Sequence, residues 1–285
     1  MLADLTWNLI DDVRQLFLFH FMVNALRAGT IVAIVSGALG YFMVLRRESF
    51  AGHTLAVIGF PGAAGAIWLG VNPLFGYFGF CLAGAMIIAA LPGTSTASNG
   101  TDNSAAVGAV LAFALACGFL FVSLHKGFLS ELNGLLFGTI VGINDTQVIV
   151  LLVAGCTCVG VLSVIARPLL FATVDPDVAR ARGVPVRILA VTYLALLGVA
   201  AAGTSQVTGS LLVFALLVAP AATATRVTAR PALGLTLSIV FAIAVTWIGE
   251  FIAFFSPYPI GFWVTTLAFA GFVVATGVRA AVDRR

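Results

Sequence analysis

Charge is scarce in this sequence: only 9% of its 285 residues are Asp, Glu, Lys or Arg, whereas 61% are hydrophobic. Soluble domains carry about 25% charged residues, so this composition excludes an ordinary water-soluble protein. The apolar runs are long enough for helical membrane spans of about 20 residues, and they lack the short alternating pattern of barrel strands. The composition predicts an all-α, polytopic integral membrane protein, with residues 1–285 forming a single domain.

Side chains that act as nucleophiles or hold metals are also few, with three His and four Cys in the whole chain. The cysteines lie in apolar runs, where they are typical of small buried hydrophobic residues. The sequence has no GxxxxGKS/T phosphate loop, no HExxH helix and no CxxC pair. The chain is therefore expected to be no enzyme, to bind no cofactor of its own and to hydrolyse no ATP. Its net charge of +3 gives no reason to expect a nucleic-acid partner.

Nine apolar runs are drawn as spans surrounded by membrane lipid, and the fold is expected to hold about 8–9 transmembrane helices. The runs are 22–45, 53–70, 74–91, 105–124, 146–166, 188–205, 208–225, 232–255 and 260–279. The segment 128–143 is too short and too rich in glycine to cross comfortably, so a re-entrant or surface helix is expected there. Residues 1–20 are expected to form a short surface helix before the first span.

The basic residues predict the orientation of the chain. If residue 1 is outside and 128–143 does not cross, eleven of the 14 Lys and Arg residues lie on the inner side. These are Arg46, Arg47, Arg167, Arg180, Arg182, Arg187, Arg226, Arg230, Arg279, Arg284 and Arg285. Because short cytoplasmic loops retain Lys and Arg, the N-terminus is expected outside and the C-terminus in the cytoplasm.

The segment 167–187 is the one strongly charged island within the apolar chain. Asp175 followed by Pro176 is typical of a helix start, and Gly183 is typical of a helix end. These residues predict a short helix of about two turns on the cytoplasmic face of the membrane. The charges alone fit either a solvated connecting loop or a docking surface.

Two of the drawn spans contain proline. Pro61 and Gly62 lie in the second span and Pro220 lies in the seventh, and proline removes a backbone donor and clashes with the preceding turn. A broken helix survives in a membrane where protein or a wet cavity satisfies the freed carbonyls, and in transporters such breaks often border the substrate path. Both spans are therefore predicted to line the interior, with a plain structural kink as the alternative.

Among the polar residues, His53 and Glu250 are expected to have the largest free-energy cost of placement in an apolar span. Glu250 has no charged neighbour in its span, and an ionisable residue inside a span is a functional candidate by default. Its alternative is a carboxylate near the outer membrane surface. His53 opens the second span, and neutral imidazole is a common ligand of transition metals. Its alternative is a helix-capping residue.

Four stretches of this chain, taken together and in order, resemble the permease subunits of ABC-type importers for divalent metals, the zinc, manganese and iron group. They are GALGYFMVLRRESFAGHTLAVIGFPGAAGA, LNGLLFGTIVGIN, VDPDVARARGVPV and GSLLVFALLVAPAATATRV. The resemblance extends along most of the chain, and the order and spacing of the four motifs make it specific. It favours the docking interpretation of 167–187 over a plain loop.

The resemblance implies a transport subunit of the bacterial inner membrane. In that family two permease copies, identical or paralogous, form the pore, and two cytoplasmic ATPase subunits bind ATP and dock on the coupling helix. An extracellular binding protein delivers the metal. The residues expected to form the coupling segment are Asp175, Asp177, Arg180, Arg182 and Gly183. The expected cycle alternates access to a metal held between the two copies.

The first of these motifs departs from the family pattern at two positions. Family members commonly read Gly-Asp-Ala-Leu-Ser-His before Pro-Gly, whereas this chain has His53 at the Asp position and Val57 at the His position. Either His53 contacts the metal, helped by Glu250, or the substrate is bound differently. Because imidazole favours zinc over harder ions such as manganese, zinc is weakly preferred as the cargo.

Two other functions fit parts of the sequence. One is a secondary cation transporter that uses proton coupling through Glu250. A single buried carboxylate provides few groups for proton transfer, however, and this function gives the segment 167–187 no role. The other is a permease-like subunit that takes a different cargo or no longer conducts metal, which Val57 suggests.

Overall fold

A computed structural model describes residues 18–91, 100–124, 143–209 and 213–283. Within these ranges the chain forms helices and no strand. The helices are α1 (His20–Leu45), α2 (Ser49–Trp68), α3 (Pro73–Ala90), α4 (Gly100–Leu124), α5 (Asp145–Val174), α6 (Pro176–Ala181), α7 (Val186–Thr208), α8 (Val213–Val227), α9 (Pro231–Phe255) and α10 (Ile260–Asp283). The predicted all-α class is confirmed.

Eight of the described helices are long and apolar enough to cross a membrane. The remaining drawn span, 208–225, coincides in part with α8, of which 15 residues are described. α7 continues to Thr208 and is followed by Gly209, so the boundary between the drawn spans 188–205 and 208–225 lies close to Gly209. The helix expected in 1–20 and the segment 128–143 lie almost entirely outside the described residues.

The helix ends follow local sequence signals. Asn72 accepts a hydrogen bond from the Leu74 N–H at 2.9 Å and starts α3. At the start of α5, Asn144 and Gln147 form a capping box in which each side chain accepts a hydrogen bond from the other's backbone N–H. Such caps satisfy backbone donors that have no partner inside the helix.

The interior of the bundle is formed by α1, α2 and α7, which are the most buried of the eight spans. α1 packs against α5, α7, α8 and α9, and α2 packs against α3, α4 and α7. Small residues allow the close approach, since Gly40 of α1 lies against the Leu217 carbonyl of α8, and Gly62 and Gly76 lie against each other at the crossing of α2 and α3. Close packing of small residues is what holds helices together in lipid.

The helices alternate in direction, so that α6 lies at one end of the bundle, called here the α6 end. At this end Arg279 of α10 donates a hydrogen bond to the Arg226 carbonyl of α8 at 3.1 Å. At the opposite end Asn24 of α1 donates to the Asp145 carboxylate of α5 at 2.8 Å. With 30 residues, α5 extends about 45 Å and reaches beyond the end of α1 to carry α6.

Neither proline breaks its helix. α2 continues through Pro61 and α8 continues through Pro220, and both prolines are buried. Proline removes one backbone hydrogen bond, but the bonds on either side and the tight packing of Gly62 keep the helix continuous. The backbone therefore remains helical at Pro61-Gly62 and at Pro220, and the role of these residues beside the substrate path stays a prediction. The interruption lies instead at Gly209, between α7 and α8.

Candidate functional site

The end of α7 lies beside the middle of α1. Thr204 Oγ1 is 3.3 Å from Ser36 Oγ of α1, and Ser36 is about 14 Å from Leu45, the end of α1, at 1.5 Å per residue. Gly209 follows with a φ of +78°, a conformation that glycine adopts without strain. The helical backbone is therefore interrupted deep inside the bundle, where surrounding protein or water must satisfy it.

Hydroxyl groups gather at this depth. Ser205 Oγ donates to the Ala56 carbonyl of α2 at 3.5 Å, and Thr204 Oγ1 donates to the Ala200 carbonyl at 2.7 Å. Sequence reasoning missed these residues because single hydroxyls are common in apolar helices. The run GTSQVTGS at 203–210 is the signal that points to them, since it places several polar residues at the end of a span.

His53 lies in α2 close to the start of α8. Its ring meets the ring of Phe214 edge to face, with 4.9 Å between the ring centroids. Its Nδ1 is buried and has no hydrogen-bond partner in the described part of the chain. His53 is the fifth residue of α2 and makes no cap hydrogen bond, so the capping alternative is not supported. Its side chain offers one nitrogen to a ligand.

His53 and Val57 form the accessible stripe of α2. Between Ala51 and Ala66 all other residues of this helix are buried, whereas these two are half-buried. They lie one turn apart on the same helix face. The two positions at which the sequence departs from the family pattern are therefore the two positions between Ala51 and Ala66 that are partly accessible.

Glu250 lies inside the protein. Its side chain is 0% exposed, and neither carboxylate oxygen has a hydrogen-bond partner among the described residues. Its Oε1 lies against Gly29 of α1. A Cβ added at residue 29 would also lie 3.0 Å from Cγ2 of Thr246. The carboxylate is thus enclosed between α1 and α9.

The structure does not bring His53 and Glu250 together. Gly52, the residue before His53, packs on Met43 of α1, whereas Glu250 packs on Gly29 of the same helix. These two points are 14 residues apart, which is about 20 Å along the helix axis. One ion therefore cannot contact both side chains, and the expectation that Glu250 helps His53 at one site is wrong. Within the described ranges no group of three or more His, Cys, Asp or Glu could hold a metal ion.

The charged segment forms the helix that its sequence predicts. Asp175 accepts a hydrogen bond from the Val178 N–H at 3.0 Å, and Pro176 is the first helical residue. Gly183 has a φ of +79° and ends the helix. Ala179 is completely buried and anchors α6 to α5 and α7. The element is thus a six-residue helix, fixed between two spans.

The polar side chains of α6 are exposed. Arg180 Nη1 donates to Asp177 Oδ1 at 2.9 Å, and the two side chains are 42% and 87% exposed. An exposed pair of this kind contributes about 0–1 kcal/mol, so it does not hold α6 in place. Arg182 is exposed as well. These side chains are available to a partner, whereas the Asp175 carboxylate already caps the helix.

The sequence matches the ABC 3 transport family over residues 18–279. It is 32% identical to the manganese import system permease protein ScaB of Streptococcus parasanguinis, over 75% of this chain and 74% of ScaB. It is 27% identical to the high-affinity zinc uptake system membrane protein ZnuB of Haemophilus influenzae, over 75% of this chain and 80% of ZnuB. Among solved structures, PsaBC from Streptococcus pneumoniae in complex with Fab aligns with a TM-score of 0.82 at 27% identity, covering 93% of this chain and 94% of that one.

Proposed function

The chain belongs to the ABC 3 transport family, and on this basis we propose that it moves a divalent transition metal ion from an extracellular binding protein into the cytoplasm. It is the permease subunit of an ABC-type metal importer, a transport component and not an enzyme. ATP is bound and hydrolysed by two copies of a separate cytoplasmic ATPase. The accessible stripe of His53 and Val57 is the observation that carries the proposal.

The metal passes along the face of α2 that carries His53. The imidazole of His53 supplies a ligand, and hydroxyl and carbonyl oxygens beside the interruption at Gly209 supply weaker contacts above it. Weak and separate contacts suit transport, because an ion that is held too tightly does not leave. In this arrangement the stripe faces the pore between two copies of the chain, which form a homodimer.

Glu250 has a separate task on the path. Its carboxylate is enclosed between α1 and α9, so an ion reaches it only when these helices separate at the end opposite α6. We assign it to the opening of that end in the transport cycle.

Zinc is the cargo that the donor set favours. The ligand that α2 offers is an imidazole nitrogen, and nitrogen donors suit zinc better than they suit manganese, which prefers oxygen. Relatives of this chain are named for manganese and for zinc, so family membership does not decide between the two ions.

The α6 end lies in the cytoplasm, where α6 docks on the ATPase, and the membrane is the bacterial inner membrane. Exposed arginines cluster at this end of the described helices, as expected for the cytoplasmic side. They are Arg47, Arg180, Arg182, Arg187, Arg226, Arg230 and Arg279.

Uptake into proteoliposomes tests the function. The chain is reconstituted with its ATPase and binding protein, and radioactive zinc or manganese is offered with ATP or with a non-hydrolysable analogue. We expect ATP-dependent uptake, faster for zinc. Uptake that continues without the ATPase would identify a secondary transporter, and ATP hydrolysis without uptake of either metal would identify a different cargo.

A further inference from the structure

The turn between α1 and α2 holds an ion pair that the path does not use. Arg46 Nη2 donates to Glu48 Oε1 at 2.7 Å, and the two side chains are only 10% and 18% exposed. Burial lowers the pKa of Arg46, but the charge and the hydrogen bond of Glu48 outweigh this effect and raise it. Arg46 Nε and Glu48 Oε2 are buried without a partner in the described chain. A pair withdrawn this far from water is weak evidence for added stability.

Tyr193 of α7 connects this pair to the interior. The Arg46 guanidinium lies over its ring, 5.3 Å from the centroid, a contact worth about 0.5–2 kcal/mol. Tyr193 is completely buried, and its hydroxyl donates to the Leu39 carbonyl of α1 at 2.8 Å. One side chain of α7 is therefore bonded to the turn and, about two helical turns away, to α1.

The backbone of the turn is fixed in an unusual conformation. Arg47 has a φ of +58°, the one positive φ of a non-glycine residue among the described residues. The Glu48 N–H donates to the Met43 carbonyl at 3.0 Å and closes the end of α1. A left-handed conformation costs a non-glycine residue about 1–2 kcal/mol, and it persists where the surroundings determine it. The turn is thus a stiff joint, and His53 follows it by about one helical turn.

Tyr193 is also coupled to α6. α7 begins at Val186, and four residues separate it from the end of α6. Val186, Leu189 and Tyr193 belong to the same apolar cluster as Ala179 of α6. A push on α6 therefore displaces the first turns of α7. The described helices in principal contact with α6 are α5 and α7, and of these two α7 carries the side chain that touches the α1–α2 turn.

We propose that Arg46, Glu48 and Tyr193 are positioning residues that transmit a displacement of α6 to α2 and so to His53. Displaced α7 carries Tyr193, Tyr193 moves the Arg46–Glu48 pair, and the stiff turn passes the movement to the start of α2. The inference rests on the proposed function, because it assumes that an ATPase acts on α6.

The ratio of metal ions transported to ATP hydrolysed tests this proposal. It is measured in proteoliposomes that hold the complete transporter, with Arg46→Gln, Tyr193→Phe or Arg47→Asn in this chain. Coupling energies of this kind change a response at least about fivefold, so we expect Arg46→Gln and Tyr193→Phe to lower the ratio by that factor while ATP hydrolysis continues. Arg47→Asn is the matched control, because it removes a neighbouring exposed positive charge and asparagine tolerates the left-handed conformation.

Uptake and ATP hydrolysis that fall in parallel in both variants would overturn the proposal, because a purely structural role lowers both. If Arg46→Gln does not assemble with the ATPase, Tyr193→Phe decides alone. It removes the hydrogen bond to the Leu39 carbonyl that fixes the ring beneath Arg46, and it keeps the volume of the ring. A ratio that stays at the wild-type value in Tyr193→Phe then counts against the proposal.

A second readout separates this proposal from the choice of cargo. Phe50 in the first turn of α2 is 41% exposed, and Phe50→Cys is made after Cys117 and Cys156, the two cysteines that are not buried, are changed to Ser. We expect ATP to change the rate at which a thiol reagent labels this cysteine, and Arg46→Gln to abolish the change. The proposal is overturned if ATP still changes the labelling rate in Arg46→Gln, or if ATP changes it neither in Arg46→Gln nor in the chain that keeps Arg46. Both outcomes can be read even if wild type transports neither zinc nor manganese.

Discussion

At the scale of single residues, the proposed metal path depends on the accessible stripe of α2. His53 offers a nitrogen, whereas Val57, one turn further along the same face, offers only methyl groups. A single protein ligand holds an ion weakly and leaves most of its coordination sphere to water or to other donors. The affinity of this stripe for metal is therefore expected to depend on His53 and to increase when a second ligand is added at position 57.

Substitution of the stripe tests this dependence. Loss of a residue that merely supports a metal ligand costs about 10–100-fold in affinity or activity, so we expect His53→Ala to lower ATP-dependent uptake at least tenfold. Val57→His places a second imidazole at i+4 and should lower the KM for zinc. His20→Ala is the control, since His20 lies at the opposite end beside Asp145. Equal uptake in wild type and His53→Ala would remove His53 from the path.

Gly29 and Glu250 are expected to be energetically coupled. A Cβ at residue 29 would collide with the Glu250 carboxylate, so Gly29→Ala should destabilise the protein by about 1–3 kcal/mol through overpacking. In Gly29→Ala/Glu250→Ala the new methyl group gains space, so the double variant should lose less stability than the sum of the single variants. Thermal unfolding in detergent measures these changes. Gly160→Ala is the control, because its Cβ would meet no atom within 4 Å, and additive losses would contradict the contact.

At the scale of the element, the cap of α6 determines whether the docking helix forms. Asp175→Ala removes the acceptor of the Val178 N–H and should cost about 1 kcal/mol of helix stability, which weakens binding of the ATPase. Asp175→Asn keeps a good cap and should bind the ATPase as wild type does. Binding to the detergent-solubilised chain can be measured by titration. If Asp175→Asn binds as weakly as Asp175→Ala, the charge of Asp175 acts in docking and the cap is not the cause.

The elements differ in how well the sequence predicts them. The ends of α6 follow from Asp175, Pro176 and Gly183, because capping is a local interaction. The apolar run 188–205 predicts the end of α7 at Thr208 to within three residues. The run does not predict that this end lies beside Ser36 of α1, since that contact joins residues far apart in the chain. For the same reason proline was a poor guide to the interruption, since tertiary packing keeps α2 and α8 helical through it.

The candidate site was predictable in part as well. His53 is identified by its residue type and by the motif around it, and the structure adds that its neighbours on α2 are buried except Val57. That His53 and Glu250 lie about 20 Å apart depends on which residues of α1 each helix meets. The spacing of residues within one helix does not show which residues of α1 the other helices meet. The sequence alone therefore could not predict whether His53 and Glu250 lie close together.

At the scale of the whole molecule, the proposed energy input at α6 and the proposed metal path are connected through α7. α6 is held between α5 and α7, α7 ends beside the hydroxyl cluster, and its first turns contact the α1–α2 turn. In the proposed mechanism, a displacement at α6 reaches both the start of α2 and the interruption at Gly209 through α7. This architecture requires α6 to face the compartment that contains ATP.

Cysteine labelling in intact cells tests this orientation. Val282 near the end of α10 lies at the α6 end and is 64% exposed, whereas Tyr258 before the start of α10 lies at the opposite end and is 60% exposed. Because arginines cluster at the α6 end, the positive-inside rule places that end in the cytoplasm. A membrane-impermeant maleimide should therefore label Tyr258→Cys in intact cells, and Val282→Cys only after permeabilisation. Since the α6 end must meet an ATPase that consumes cytoplasmic ATP, the reverse pattern would refute the orientation and the docking of α6 together.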